Sequence, residues 1–259
     1  MTAMLEVDDL SVSFGGVHAL RHVSFKAEVG AIVGLIGPNG AGKSTLLNCI
    51  SGITTPSGGA IRLDGQALRR ITPDALAARG VGRVFQHPDL VGELSVLDNL
   101  LIARHRSLRY GLFAEWLGLP RVAAGEREAE RMVRGVAARL GLEPLLLAAA
   151  LSLPYGHRKL VELGRAMVMQ SRLFLLDEPI AGLNESEIEK LESIVRALRE
   201  QPGVAVVLVE HNMGLVKRLC DHVVVLDAGQ VIARGSADEV LSDPKVLLAY
   251  LGEETADAP

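Results

Sequence analysis

The chain contains the stretch Gly37-Pro38-Asn39-Gly40-Ala41-Gly42-Lys43-Ser44-Thr45, which matches the pattern G-x-x-x-x-G-K-[ST]. In loops of this pattern the backbone amides and the lysine surround the phosphates of a nucleotide. An apolar run of buried-strand type precedes the loop at residues 31–36, and residues 45–50 continue as a typical helix sequence. Strand, glycine-rich loop and helix form the setting that the motif requires. The stretch therefore predicts a nucleotide site at the end of a core strand.

Each residue type in this loop has a physical reason. The glycines allow a tight turn, a positive φ and a close approach of the backbone to a ligand. A helix that begins near Lys43 offers N–H groups and the positive end of its dipole to an anion. Lys43 can reach the terminal phosphates, and the hydroxyl of Ser44 can bind the Mg²⁺ that bridges them. We therefore expect a triphosphate with Mg²⁺ as the ligand.

Composition excludes several other functions. The 259 residues carry a net charge of −4 and only 3% aromatic residues, which disfavours general nucleic-acid binding and base stacking. The cysteines, Cys49 and Cys220, are too few for a disulfide framework and fit a reducing cytosol. The N-terminus lacks the profile of a secretion signal, and the longest apolar stretch, Leu145 to Leu151, is far shorter than the about 20 residues that span a bilayer. Any membrane role is expected to come through a partner.

The apolar pattern changes along the chain. In the first thirty residues apolar and polar residues alternate, which predicts half-buried antiparallel strands. Residues 95–151 read mainly as helix. Continuous apolar runs then appear at 173–176 and 205–209, and they are typical of strands buried on both faces of a parallel sheet. The chain is therefore predicted to be one α/β nucleotide-binding core interrupted by an all-helical insert.

Helix starts are predicted where a capping residue precedes an acidic residue by three positions. Such pairs are Ser95 with Asp98, Asn184 with Glu187, and Ser236 with Glu239. The last pair is expected to open the final helix, and the tail after Gly252 is expected to be loose. Residues 222–233 predict a β-hairpin.

Two acidic residues directly follow the apolar run at 173–176. A carboxylate at the end of a buried strand, beside a phosphate loop, can bind Mg²⁺, and this predicts Asp177 as a metal ligand. Glu178 lies one residue beyond, and Pro179 is expected to hold it in an extended conformation. A second carboxylate next to the metal can act as general base for water attacking the γ-phosphate. In isolation, the same pair could be a helix cap or a surface acid pair.

His211 lies two residues after the apolar run at 205–209, much as Asp177 and Glu178 follow the run at 173–176. A lone histidine is more often structural, but its position after an adjacent core strand favours a functional role. Gln86 follows a short predicted strand at 81–85, and by itself it would be read as a surface amide.

The order of these motifs resembles the ATPase subunit of an ABC transporter, over about residues 4–253. The resemblance implies a P-loop NTPase core of RecA-like type, formed by residues 4–86 and 160–252. It also implies an N-terminal antiparallel β subdomain, an inserted α-helical subdomain at 87–159 and a loose tail at 253–259. The activity that it implies is ATP hydrolysis coupled to solute transport.

The resemblance assigns roles that the patterns leave open. Phe14 matches the aromatic residue that stacks on adenine. Gln86 matches the glutamine that touches Mg²⁺ and senses the membrane subunit, and His211 matches the switch histidine on the γ-phosphate.

Leu153-Pro154-Tyr155-Gly156-His157 occupies the position of the family signature, which commonly reads L-S-G-G-Q. Pro154 therefore replaces a serine whose hydroxyl would contact the γ-phosphate, and His157 replaces a glutamine. Proline is easily accommodated in the first turn of a helix. The amides of Tyr155 and Gly156 can still meet a phosphate at that helix start.

The resemblance also implies the partners. Two such domains would hold two ATP molecules head to tail, each signature completing the opposite phosphate loop, in a homodimer or a heterodimer with a second ABC ATPase. Transmembrane permease subunits would keep the cytoplasmic chain at the inner face of the cell membrane. A solute-binding protein would act indirectly, and no nucleic acid is expected.

Residues 89–100, 210–216 and 243–254 are similar to phrases of the branched-chain amino acid importer ATPases. Alternatives are the ATPase of a urea or short-chain amide importer, that of a lipopolysaccharide exporter, a soluble ABC protein, and a degenerate regulatory nucleotide binder. A basic and apolar segment at 104–117 could contact membrane subunits or lipid headgroups, or could pack as an ordinary surface loop.

Overall fold

The computed structural model describes residues 3–68, 72–104 and 120–256. The strands are β1 Ala3–Phe14, β2 Val17–Glu28, β3 Ile32–Ile36, β4 Gly58–Leu63, β5 Gln66–Ala67, β6 Val81–Val84, β7 Leu173–Asp177, β8 Ala205–Val209, β9 His222–Asp227 and β10 Gln230–Gly235. The α-helices are α1 Lys43–Ile50, α2 Pro73–Ala78, α3 Val96–Arg104, α4 Pro120–Leu140, α5 Tyr155–Val168, α6 Glu185–Arg199, α7 Met213–Leu219, α8 Ala237–Leu241 and α9 Pro244–Ala256. Short 3-10 turns lie at Glu143–Leu145 and Ala150–Ser152.

Four strands form an antiparallel sheet in the order β2-β1-β4-β5. Along β1 the buried residues include Leu5, Val7, Leu10 and Val12, and the polar residues between them are more accessible. One face of this sheet is therefore apolar and packs on the core. This confirms the antiparallel strands predicted from the alternating N-terminal sequence.

Six strands form the second sheet, in the order β10-β9-β3-β8-β7-β6. Strand β3 pairs in parallel with β8 and β9, and β7 pairs in parallel with β8. Strands β3, β7 and β8 are buried along their whole length, which explains their continuous apolar sequences. Since parallel strands end at the same edge, the residues that follow these three strands share that edge. The predicted hairpin is confirmed as the antiparallel pair β9 and β10.

The main core lies between the two sheets and helix α1. It combines Phe25 of β2, Leu35 of β3, Leu47 of α1 and Leu175 of β7, each at most 4% exposed. A second, smaller apolar cluster lies around β9, β10, α8 and α9. The two sheets therefore share one apolar interior, and the phosphate loop leaves from the middle of it.

The chain divides into two compact units. The first comprises Met1–Arg83, Arg172–Pro179 and Val195–Pro259 and contains both sheets. The second comprises Val84–Ser171 and Ile180–Ile194 and is helical. The resemblance implies a helical subdomain at 87–159, whereas this unit extends through the end of α5 and includes the beginning of α6. The difference arises because α5 packs on α3 and α4.

The C-terminal end differs from the prediction. Ser236 and Glu239 form the predicted capping box at the start of α8. Helix α8 was expected to be the last helix, but α9 follows it. Helix α9 continues past Gly252, after which a loose tail was predicted, and ends at Ala256. Pro244 opens α9, since a proline in the first turn leaves no helical bond unmade. The tail expected to be loose from residue 253 is thus helical over its first part.

The basic and apolar segment predicted at 104–117 lies outside the described residues after Arg104. Within the described segments, every helix is too short or too polar to cross a lipid bilayer.

Candidate nucleotide site

The phosphate loop joins β3 to α1. The side chain of Lys43 is buried, and its ammonium donates hydrogen bonds to the carbonyl oxygens of Gly37 at 2.6 Å and Pro38 at 2.7 Å. Gly37 has φ +144°, and a Cβ there would stand 2.0 Å from the carbonyl oxygen of Leu226. Only glycine fits this position, and the loop curves around the lysine ammonium.

The start of α1 fits an anionic ligand. Gly42 is the N-cap with φ +102°, so no side chain caps the helix. A Cβ at Gly40, where φ is +74°, would meet no atom of the described segments within 4 Å, so these segments leave space beside the loop. The hydroxyl-bearing Ser44 is exposed in the first turn of the helix. Helix N–H groups, a buried ammonium and a concave glycine loop together suit the phosphates of a nucleotide.

Asp177 ends β7 and is 7% exposed. Its Oδ2 accepts a hydrogen bond from Nη2 of Arg83 at 2.9 Å. Nη1 of Arg83 donates to Oδ1 of Asn48 on α1 at 2.7 Å and to Oγ of Ser51, the residue that follows α1, at 2.8 Å. Arg83 therefore ties Asp177 to the helix that follows the phosphate loop. The other carboxylate oxygen, Oδ1, accepts no hydrogen bond within the described ranges, and a carboxylate oxygen suits Mg²⁺.

Arg83 was not predicted as part of the site. The sequence offers one signal for it, since Arg83 is a charged residue inside the short apolar strand β6. A buried arginine must have acidic or polar partners. The identity of those partners depends on the tertiary fold.

Glu178 and His211 contact each other. Nε2 of His211 lies 2.6 Å from Oε1 of Glu178, and the carboxylate, as acceptor, places the proton on Nε2. The prediction that Glu178 is extended is wrong, since its φ is +46°. The backbone N–H of Glu178 still donates a hydrogen bond to the carbonyl oxygen of Val209 at 3.0 Å. The chain leaves the sheet directly after this bond. A left-handed conformation is uncommon outside glycine and occurs often at functional sites.

The remaining predicted residues fall in both units. Phe14 ends β1 in the first unit, and the residue is 52% exposed, as an aromatic surface for a ligand requires. Gln86 is exposed in the second unit, two residues after β6. The first unit therefore brings together the phosphate loop, Asp177, Glu178 and His211.

The signature-like residues open helix α5 in the second unit. Pro154 is the N-cap, with φ −52° and ψ 153°, one residue before the first turn in which it was expected. No side chain caps this helix start. The Nδ1 atom of His157 is buried and has no hydrogen-bond partner within the described part of the chain. The backbone amides of Tyr155 and Gly156 thus lie at an uncapped helix start, as the sequence predicts.

Helix α5 also holds the segment that carries Gln86. The hydroxyl of Tyr155 donates to the carbonyl of Gln86 at 2.9 Å, and Oε1 of Glu162 accepts from the N–H of Phe85 at 3.1 Å. Arg165 donates to the carbonyl of Asp89. These bonds were not predicted, because they join side chains of α5 to the backbone of a loop distant in sequence.

Glu162 is 4% exposed, and its Oε2 has no hydrogen-bond partner among the residues that the structure describes. Burial raises the pKa of this carboxyl to about 7, although the N–H of Phe85 and the charges of Arg165 and Lys159 lower it. The buried charged form is therefore disfavoured, and the folded protein retains a proton that the unfolded chain releases.

We expect Glu162→Gln to remove a pH dependence of stability. In the unmodified protein the stabilising proton is fully present below pH 4.5 and is lost as the pH rises through about 7. The free energy of unfolding should fall across this window by at most about 1.4 kcal/mol per pH unit. Urea unfolding across the window should show this fall in the unmodified protein and its absence in the variant.

Glu189→Gln, at an exposed site on α6, serves as the control. Identical pH profiles for Glu162→Gln and the unmodified protein would contradict the assignment.

Two known families match this chain. The family described as ABC transporter matches residues 20–181, and the family described as branched-chain amino acid ATP-binding cassette transporter matches residues 230–256. The high-affinity branched-chain amino acid transport ATP-binding protein BraF of Pseudomonas aeruginosa is 38% identical over 250 residues, covering 96% of this chain and 98% of BraF. The protein LivG of Escherichia coli, of the same description, has the same identity and coverage.

Solved structures of similar shape confirm the predicted fold class. An ATP-binding cassette of an ABC transporter in its ADP conformation has a TM-score of 0.84 and 31% identity, covering 98% of this chain and 100% of that chain. A nucleotide-free ATP-binding cassette has a TM-score of 0.83 and 30% identity, covering 96% and 99%.

Proposed function

This chain belongs to the ABC transporter ATP-binding family, and we propose that it is the ATP-hydrolysing subunit of an importer for branched-chain amino acids. The observation that carries the proposal is the convergence, within one unit, of the phosphate loop with buried Lys43, of Asp177 and of the Glu178–His211 pair. The solute class is supported by BraF and LivG, whose similarity extends over nearly the whole length of both chains.

Residues of the phosphate loop and of the neighbouring strands are proposed to bind ATP and Mg²⁺. Lys43 and backbone N–H groups among residues 39–45 hold the phosphates of ATP, and the exposed ring of Phe14 stacks on the adenine. The oxygens of Ser44 and Asp177, both in the first unit, are the proposed Mg²⁺ ligands. When bound there, Mg²⁺ would neutralise part of the negative charge of the phosphates.

In the hydrolysis step Glu178 accepts a proton from the water whose oxygen attacks the γ-phosphorus, and ADP leaves. His211, whose Nε2 lies 2.6 Å from Oε1 of Glu178, orients this carboxylate. The family resemblance adds a contact of His211 with the γ-phosphate to this proposed role. The left-handed backbone at Glu178 supports the assignment, because such strain persists only where the surroundings enforce it.

The partners belong to the same proposal. Two ATPase chains, identical or paralogous, associate head to tail, and residues 154–157 of each complete the phosphate loop of the other. The uncapped helix start at Tyr155 supports this role, because its amides are suited to an anion. Permease subunits hold the pair at the cytoplasmic face of the membrane, and a solute-binding protein acts through them. Nucleic acid has no role.

The test is purification of the intact complex from membranes, with identification of its permease and solute-binding subunits. In liposomes, ATP hydrolysis should rise several-fold when the binding protein carries leucine, isoleucine or valine. Stimulation by urea or short-chain amides alone would assign the chain to that related importer. Lipopolysaccharide-handling membrane partners would instead indicate an exporter. Recovery with ribosomal subunits and without a membrane protein would contradict the transport function.

A further inference from the structure

The C-terminal residues 243–254, which are similar to the subfamily ending, have no task in the reaction proposed above. Most of this segment forms helix α9. The hydroxyl of Tyr250 accepts a hydrogen bond from the backbone N–H of Gly37 at 2.7 Å, across a sequence separation of 213 residues. Gly37 is the first glycine of the phosphate loop, so the C-terminal helix is bonded directly to that loop.

Apolar packing holds Tyr250 in this position. Val246 of α9 is 2% exposed and belongs to the smaller apolar cluster, which also contains Ile36 and Val225. The half-buried ring of Tyr250 packs against this cluster. Ile36 is fully buried and immediately precedes Gly37. The ring is therefore fixed beside the strand that leads into the loop, and its hydroxyl is directed at the loop's first amide.

Strand β9 also restrains Gly37. Its backbone lies so close to the carbonyl of Leu226 that no Cβ fits. The two contacts fix the first residue of a loop in which Gly40 and Gly42 also have positive φ. Glycine loses more conformational freedom on ordering than any other residue. A restraint present before the ligand arrives reduces the entropy that binding must overcome.

We propose that Tyr250 is a positioning residue for nucleotide binding, which acts through Gly37 and pre-orders the phosphate loop. The proposal rests on the proposed function in one respect, that ATP occupies this loop. Glu178 and His211 follow β7 and β8 rather than β3, so we expect the effect of Tyr250 on nucleotide binding rather than on the general base. Coupling is reciprocal, so a nucleotide that favours the ordered loop also stabilises α9 against local opening.

Tyr250→Phe tests the proposal, because it removes only the hydroxyl and keeps the packed ring. Loss of one hydrogen bond should raise KM and Kd for ATP about three- to tenfold, with kcat unchanged. The amide of Gly37 should exchange with solvent faster in the variant, and addition of ATP should slow exchange in α9 of the unmodified protein.

The matched control is Leu248→Ala, at a residue of α9 that is 68% exposed and lies outside the cluster that packs on Tyr250. It should leave both KM for ATP and Gly37 exchange unchanged. The proposal is overturned if Tyr250→Phe leaves both KM and Gly37 exchange unchanged. It is also overturned if Leu248→Ala raises KM as much as Tyr250→Phe does. Failure of the proposed function is distinguishable, since the unmodified protein would then show no ATP affinity while Gly37 exchange would still report the bond.

Discussion

Replacing Glu178 by glutamine will lower the turnover of ATP by about 10²–10⁴-fold while ATP binding persists. Glutamine has nearly the same size, and its amide oxygen can accept the bond that His211 now gives to Oε1 at 2.6 Å. An amide cannot take a proton from water at neutral pH, so the general base alone is lost. Phosphate release measures turnover, and a fluorescent ATP analogue measures binding. With ATP and Mg²⁺, the variant should elute as a trapped dimer in size-exclusion chromatography.

Glu185→Gln is the matched control, because it removes an exposed carboxylate from the first turn of α6. Its turnover should equal that of the unmodified protein. Since Glu178 and His211 act as a unit, adding His211→Ala to Glu178→Gln should reduce turnover little further. If Glu178→Gln hydrolyses ATP at the unmodified rate, Glu178 is not the general base.

Features that local sequence specifies were predicted well. The phosphate loop needs only nine consecutive residues and the strand and helix beside them, and the structure has both. Asp177 and His211 were located because each follows an uninterrupted apolar run. Such runs are buried parallel strands, whose ends meet at one edge of the sheet. The capping box at Ser236 is likewise encoded within four residues.

Features that depend on long-range pairing were not predicted. The conformation of Glu178 was expected from Pro179 alone, but the sheet bond to Val209 and the contact with His211 override that local preference. Tyr250 in α9 gives no sign of its bond to the phosphate loop, because nothing nearby in sequence specifies the partner.

Arg83 illustrates the same limit, and its removal should have the largest effect on stability. Its side chain and that of Asp177 are each 9% exposed, so Arg83→Ala leaves a buried carboxylate without its cation. Asn48 and Ser51 lose a donor at the same time. Breaking a buried pair in this way destabilises a protein by about 3–5 kcal/mol. Urea unfolding of Arg83→Ala should show a loss of this size.

Arg172→Ala is the matched control, because Arg172 also forms a two-bond contact with a carboxylate, that of Asp64. These side chains are 48% and 42% exposed, so the loss should be at most about 1 kcal/mol. Adding Asp177→Asn to Arg83→Ala removes the unpaired charge and should recover part of the stability, while ATP turnover stays low because a proposed Mg²⁺ ligand is lost. If Arg83→Ala costs no more than Arg172→Ala, or if Asp177→Asn restores nothing, the stabilisation does not come from the buried pair. Arg83→Lys should lower the free energy of unfolding by an intermediate amount. Lysine keeps the charge but cannot reach Asp177, Asn48 and Ser51 with one planar group.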